Sequence, residues 1–145
     1  MRDGAAMDLT TQQRIALIES VKRCTARPEF TAQFYERFLA ADPAIPAYFA
    51  NTDFAKQQRM LAHSLSLMVR AGVRGNTLSR ELIEVADGHG VQGMNIPAHM
   101  YDAWVGALVY AAGRVDPEFS VDLMVAWRTF FTAQVALFVA HAKPS

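Results

Sequence analysis

Three polar side chains sit where their type and spacing could do chemistry: His89, Gln57 and Tyr35. Leu82, Val85 and His89 fall on one stripe of a helical segment, which directs the imidazole inward. A histidine near the end of a helix can also serve as a polar cap beside the negative end of the dipole. Turned inward with no carboxylate neighbour in sequence, it needs a partner, because burying an unpaired polar group costs roughly 2–7 kcal/mol. Gln57 belongs to the doublet Gln57-Gln58, one member of which must face water. The stripe Phe54, Leu61, Leu65 selects Gln57 as the inward one. Tyr35 follows Phe34 in an aromatic run, and reads either as a core tyrosine with its hydroxyl at the surface or as a buried donor. Gly88, Gly90 and Gly93 match the pattern G-x-G-x-x-G. A dinucleotide site would need a strand before them and a helix starting within them. The segment 80–85 has helical period instead, and Pro97 falls inside the required helix, so the match is coincidental. Cys24, the one cysteine, excludes an intramolecular disulfide and a Cys-rich metal site, and no motif supplies the histidine of a thiol enzyme.

The elements that must position these residues are all helical. Residues 1–9 read as a flexible tail before a single domain over 10–145. Thr10 and Gln13 form a capping box that opens a helix to about Cys24. Pro28 suits the first turn of a second helix carrying Phe30, Phe34, Tyr35 and Phe38 to about Ala41. Pro43 and Pro46 confine the next piece to a short segment ending in Tyr48-Phe49. Asp53 can cap a helix with Phe54, Leu61, Leu65 and Met68 inward, closed by Gly72 and Gly75-Asn76. A shorter helix follows from about Leu78 to His89. Pro97 begins a long one with Ile96, Met100, Trp104, Leu108 and Ala111 inward. Asp116-Pro117 is expected to start the last helix, which buries Leu123, Trp127, Phe131, Val135 and Phe138 and runs to about His141. No useful stretch alternates with period two, so the expectation is all-α, with about six to eight helices.

Composition agrees with that reading. Hydrophobic residues make up 52% of 145 and charged residues 19%, which excludes disorder and leaves an apolar surplus. A large buried cofactor, a subunit interface or an unusually full core would absorb it. Lys plus Arg equals Asp plus Glu at 14 each and no basic stripe appears, so nucleic acid is not an expected partner. The first residues lack the apolar core of a signal peptide, and no apolar run of about 18 residues follows. A cytoplasmic protein with no membrane partner is expected.

Six pieces, in order, carry a family resemblance: Phe34-Tyr35-Glu36-Arg37-Phe38, the segment from Pro43 to Phe49, and Gln57 with Leu61; then Glu84 to His89, Ile96 to Tyr101, and Ala126-Trp127. They are similar to the globins, especially bacterial single-domain haemoglobins and the haem domain of flavohaemoglobins, from about residue 10 onward. The resemblance implies a globin fold enclosing haem b, held without covalent attachment because C-x-x-C-H is absent. His89 falls at the family's iron ligand, bonding through Nε2, while its other nitrogen would donate to a backbone carbonyl such as that of Val85. Phe49 resembles the phenylalanine that wedges the haem, though it also reads as an ordinary core aromatic. Tyr35 and Gln57 resemble the oxygen-side tyrosine and glutamine. Oxygen held at the iron carries partial negative charge, and a hydrogen bond to a charged group is worth roughly 1.5–3 kcal/mol, a ten- to hundredfold effect on release. Leu61 would cover the iron and limit ligand size. Ile96, Met100, Trp104 and Leu108 would line the haem edge, a stripe that reads equally as plain core, and Trp104 and Trp127 read as core packing. The other histidines, His63, His99 and His141, read as solvated.

Two departures from the flavohaemoglobin pattern bear on function. The link from His89 to Tyr101 is two residues longer than usual there, so the tyrosine's contact with the iron ligand does not carry over. His141 and Ala142 stand near the place where that family keeps a glutamate paired to the iron-ligating histidine, which weakens the implication of NO oxidation or O–O cleavage. The sequence carries no flavin or nicotinamide reductase domain, so reducing electrons are expected from an external reductase. The resemblance thus implies reversible binding of O2 and other diatomic gases. NO dioxygenase or peroxidase-like turnover, and gas sensing through a partner, are the alternatives. Either a monomer or a homodimer through the last two helices accommodates the apolar surplus.

Overall fold

The computed structural model describes residues 9–51, 53–75 and 100–142, with side chains given for these apart from 71–75 and 137–142. Six helices occur among them: α1 (Thr11–Thr25), α2 (Pro28–Ala40), α3 (Ile45–Tyr48), α4 (Phe54–Gly75), α5 (Tyr101–Val115) and α6 (Val121–Ala142). No strand occurs among the described residues.

Local chemistry accounts for the helix starts. At α1 the capping box closes from both sides: Gln13 N–H donates to Thr10 Oγ1 at 3.0 Å and Thr10 N–H to Gln13 Oε1 at 2.9 Å. Pro28 occupies the first turn of α2, where its missing N–H leaves no bond unmade. Asp53 precedes α4, its carboxylate accepting from Lys56 N–H at 3.3 Å and its carbonyl from Gln57 N–H at 2.9 Å.

The start of the last helix differs from the sequence expectation. Asp116 does not cap it; Asp116 is the residue that ends α5, and a turn over 116–119 intervenes. Ser120 takes the capping role, accepting from Leu123 N–H at 3.1 Å. The reason lies in what Asp116 binds instead. Its buried carboxylate accepts from Ser20 Oγ at 2.6 Å, Arg23 Nε at 2.7 Å, Arg23 Nη2 at 3.0 Å and Glu118 N–H at 2.9 Å. Trp127 Nε1 in turn donates to Ser20 Oγ at 2.9 Å, tying α1, the turn and α6 together.

The core is strongly aromatic, with Phe30, Phe34, Phe38, Trp104, Trp127, Phe130 and Phe131 all essentially inaccessible. Helix α2 packs most extensively on α5, α5 on α6, and α1 on both α6 and α4. On α2 the buried set Phe30, Thr31, Phe34, Tyr35, Phe38 follows steps of three and four in two adjacent rows. That double row is what lets one helix present Phe34 to α5 and Tyr35 to the residues around α3 and α4. The expected helix over 78–89, and Pro97 as a helix start, lie outside the described residues.

Candidate functional site

Tyr35 is only 4% exposed although it carries a hydroxyl. Three aromatic rings enclose it edge-on: Phe34 at 4.7 Å between centroids, Phe54 at 5.5 Å and Phe49 at 6.1 Å. Phe49 is buried just past α3 and packs in turn on Phe38 at 6.0 Å and Phe54 at 6.1 Å. The prolines that limit α3 to one turn therefore deliver Phe49 into the cluster.

Gln57 enters from the first turn of α4 and is 3% exposed, while Gln58 is half-buried and its amide oxygen accepts from Thr31 Oγ1 at 3.2 Å. The Gln57 side chain is hydrogen-bonded to the Tyr35 hydroxyl. Burial pushes the phenol pKa well above its ordinary value, and the Gln57 amide, which pulls it down, does not offset that. The hydroxyl thus stays protonated at any physiological pH and remains a donor. Leu61, one turn further along α4, is buried on the same face, followed by Ser64, Leu65 and Met68. From α5, Met100, Trp104 and Leu108 are buried at one-turn spacing, and Trp104 packs on Phe34 at 6.0 Å and on Tyr101 at 6.2 Å. Burial pushes the Tyr101 hydroxyl up to about 12, so it too is protonated.

A solved structure from Pseudomonas aeruginosa PAO1, described as structurally highly homologous to a human hemoglobin, superposes on this chain with a TM-score of 0.77. The two are 26% identical, over 91% of this chain and 99% of that one. No family model matches the chain, and no curated protein does. This is a globin-like protein. Within the globin-like fold the described residues bring Tyr35, Gln57 and Phe49 into direct proximity, with Trp104 one ring away across Phe34. Leu61, Met100 and Leu108 belong to the same core, whereas Val85, His89 and Ile96 lie outside the described residues. His63 is exposed. No helix among the described residues is long and apolar enough to cross a membrane, and no group of three or more metal-ligating side chains occurs among them.

A protonated phenol and an amide, both desolvated and enclosed by aromatic rings, offer hydrogen bonds to a small polarised guest that water would otherwise receive.

Sequence reasoning missed three features of the globin-like core. Ser64 is a buried hydroxyl three residues past Leu61, a spacing that could have flagged it. Gln134 is fully buried, with neither amide atom partnered among the described residues. It continues the inward stripe Trp127, Phe131, so the helical period carried that signal. The Ser20–Asp116–Arg23–Trp127 clamp had none, because its members are separated by about a hundred residues.

Proposed function

We propose that this globin-like chain binds haem b non-covalently through His89 and reversibly takes up O2 and other diatomic gases. The observation that supports the reading most is the buried Tyr35–Gln57 pair, two hydrogen-bonding side chains held side by side among aromatic rings. The donor chemistry fits the gas-facing side of a haem: an apolar, aromatic wall with a few convergent polar groups. When bound, haem supplies an iron centre with affinity for diatomic gases. Everything else is the work of the chain. Tyr35 donates a hydrogen bond toward the partly charged end of the guest, and Gln57 orients the hydroxyl and adds its own amide donor. Phe49 and Phe54 keep water from the pair, which strengthens both bonds. Leu61 restricts the size of the guest, while Val85, Ile96, Met100, Trp104 and Leu108 complete the apolar wall. In the same reading residues 10–145 form the globin domain after a tail over 1–9, whose last residue, Leu9, is buried in the core. The protein works in the cytoplasm as a monomer or homodimer and draws electrons from a separate reductase.

The test is the O2 release rate of haem-loaded wild type and Tyr35→Phe by stopped flow. Loss of a hydrogen bond to a partly charged guest, about 1.5–3 kcal/mol, predicts release ten- to hundredfold faster. Equal rates would remove Tyr35 from the site.

A further inference from the structure

Charge is distributed unevenly among the helices. Lys56, Arg59, Arg70 and Arg74 fall within α4 and no Asp or Glu does, so the other 10 of the 14 basic residues stand against all 14 acidic ones. The remaining long helices mix signs: Glu19 with Lys22 on α1, Glu29 with Arg37 on α2, Asp102 with Arg114 on α5, and Asp122 with Arg128 on α6. Lys56, Arg59, His63 and Arg70 are exposed and follow steps of three, four and seven, which puts them on one face. Gln57, Leu61, Leu65 and Met68 are buried on the opposite face. The linear sequence does not display this basic stripe, because other residues separate its members; the helix gathers them over about 21 Å. Lys56, Arg59 and Arg70 form no ion pair among the described residues, where the pairs made are Arg23–Asp116 and Arg27–Glu29. A merely solvated face ordinarily interleaves both signs, since opposite charges at these spacings support a helix and like charges weaken it. Unpaired charge of one sign is instead free for a counter-charge that arrives with a partner. Nucleic acid and anionic membranes take hold through larger clusters, about six to ten phosphate contacts or four to eight Lys and Arg side by side. Three cations in line match an acidic protein patch of ordinary size, about 800 Å² on each partner.

We infer that the outer face of α4 is the docking surface for an acidic electron-carrier protein, with Lys56, Arg59 and Arg70 as its contacts. The inference rests on the gas-binding reading and gives a place to the reductase which that reading calls for. A carrier seated on this face lies about one helix diameter, roughly 10 Å, from the side on which Gln57 and Leu61 are buried. The transfer makes and breaks no covalent bond: one electron leaves the carrier's reduced group and converts ferric iron to ferrous, the state that takes up O2. The cations draw the carrier in and orient it, so their effect falls on the encounter rate and fades with salt.

The probe is flavodoxin, a small acidic flavin protein. Stopped flow follows reduction of the ferric, haem-loaded protein by reduced flavodoxin, and NMR of the CO-bound protein maps the surface that oxidised flavodoxin touches. Combined Lys56→Glu, Arg59→Glu and Arg70→Glu substitution is expected to slow reduction at least about tenfold at low ionic strength, with the difference vanishing near 1 M, where the screening length is about 3 Å. The amide shifts along α4 disappear with it. The corresponding triple Gln variant, expected to act in the same direction, serves if the Glu variant does not fold. Lys22→Glu, Arg37→Glu and Arg128→Glu together change the net charge equally from exposed sites on α1, α2 and α6, and should keep most of the wild-type rate and the α4 shifts. Equal slowing in the two charge-reversed proteins, or shifts confined to other helices, would overturn the inference and leave the gas-binding reading intact. So would attachment of α4 to phosphatidylserine vesicles with no response to flavodoxin. A wild type that takes up no haem would overturn both.

Discussion

Replacing Ser20 by alanine removes one oxygen atom and breaks two buried hydrogen bonds at once. Ser20 Oγ donates to Asp116 Oδ2 at 2.6 Å and accepts from Trp127 Nε1 at 2.9 Å. The first bond is to a carboxylate, a kind worth roughly 1.5–3 kcal/mol, and losing the second strands an inaccessible indole N–H at a further cost of about 1–3 kcal/mol. Asp116 keeps Arg23 and the Glu118 amide, so the net loss should fall near the lower end, about 3 kcal/mol. At about 2.1 cal/mol/K per residue, a chain of 145 residues unfolds with an entropy of roughly 0.3 kcal/mol/K, which converts that loss into a melting point lower by about 10 °C. Differential scanning calorimetry measures it. A double variant, Ser20→Ala with Trp127→Phe, separates the two bonds: with no indole N–H left to strand, its loss should be smaller than the two single losses added. A Ser20→Ala melting point within about 3 °C of wild type, or strictly additive losses, would show that Ser20 does not hold the two buried bonds together.

Two further expectations follow from the same region. Burial opposes charge on Asp116, but Arg23, Ser20 and the Glu118 amide together hold its carboxyl below the usual carboxylate range. Its stabilising contribution is therefore complete above the unfolded value of about 4 and is lost as pH falls through the lower folded value; acid titration of Asp116→Asn should show a shallower decline below about pH 4 than wild type, and parallel curves would contradict this. Burial also pushes the Cys24 thiol up to about 12, so a thiol-specific reagent at about pH 8 should leave native protein untouched and react fully in denaturant; rapid native labelling would be the contrary result.

How much of this could be read from the sequence depends on the distance over which each feature is encoded. The α1 capping box and Pro28 are local signals, complete within four residues, and they stand as expected. The inward choice of Gln57 over Gln58 was likewise fixed by helical period, since Phe54, Leu61 and Leu65 define the face. Asp116 shows where such reasoning stops. Asp-Pro is a helix-start signal, yet the carboxylate was claimed by Arg23 and Ser20 from the far end of the chain, and Ser120 caps α6 instead. Tertiary competition for one side chain leaves no local trace. The same holds for the two tryptophans, which are equivalent as sequence and differ only in whether an acceptor reaches the indole nitrogen. The globin-like architecture, by contrast, is spread over the whole order of breaks and aromatic runs, and was legible for that reason.

Absorption spectra decide whether His89 holds a haem in this globin-like chain. The purified protein would be recorded oxidised, dithionite-reduced and CO-bound, beside His89→Ala. The expected result is an intense haem band that shifts on addition of CO and is lost or altered in the variant. A protein that stays colourless after haem is added, or a band that His89→Ala leaves unchanged, would contradict it.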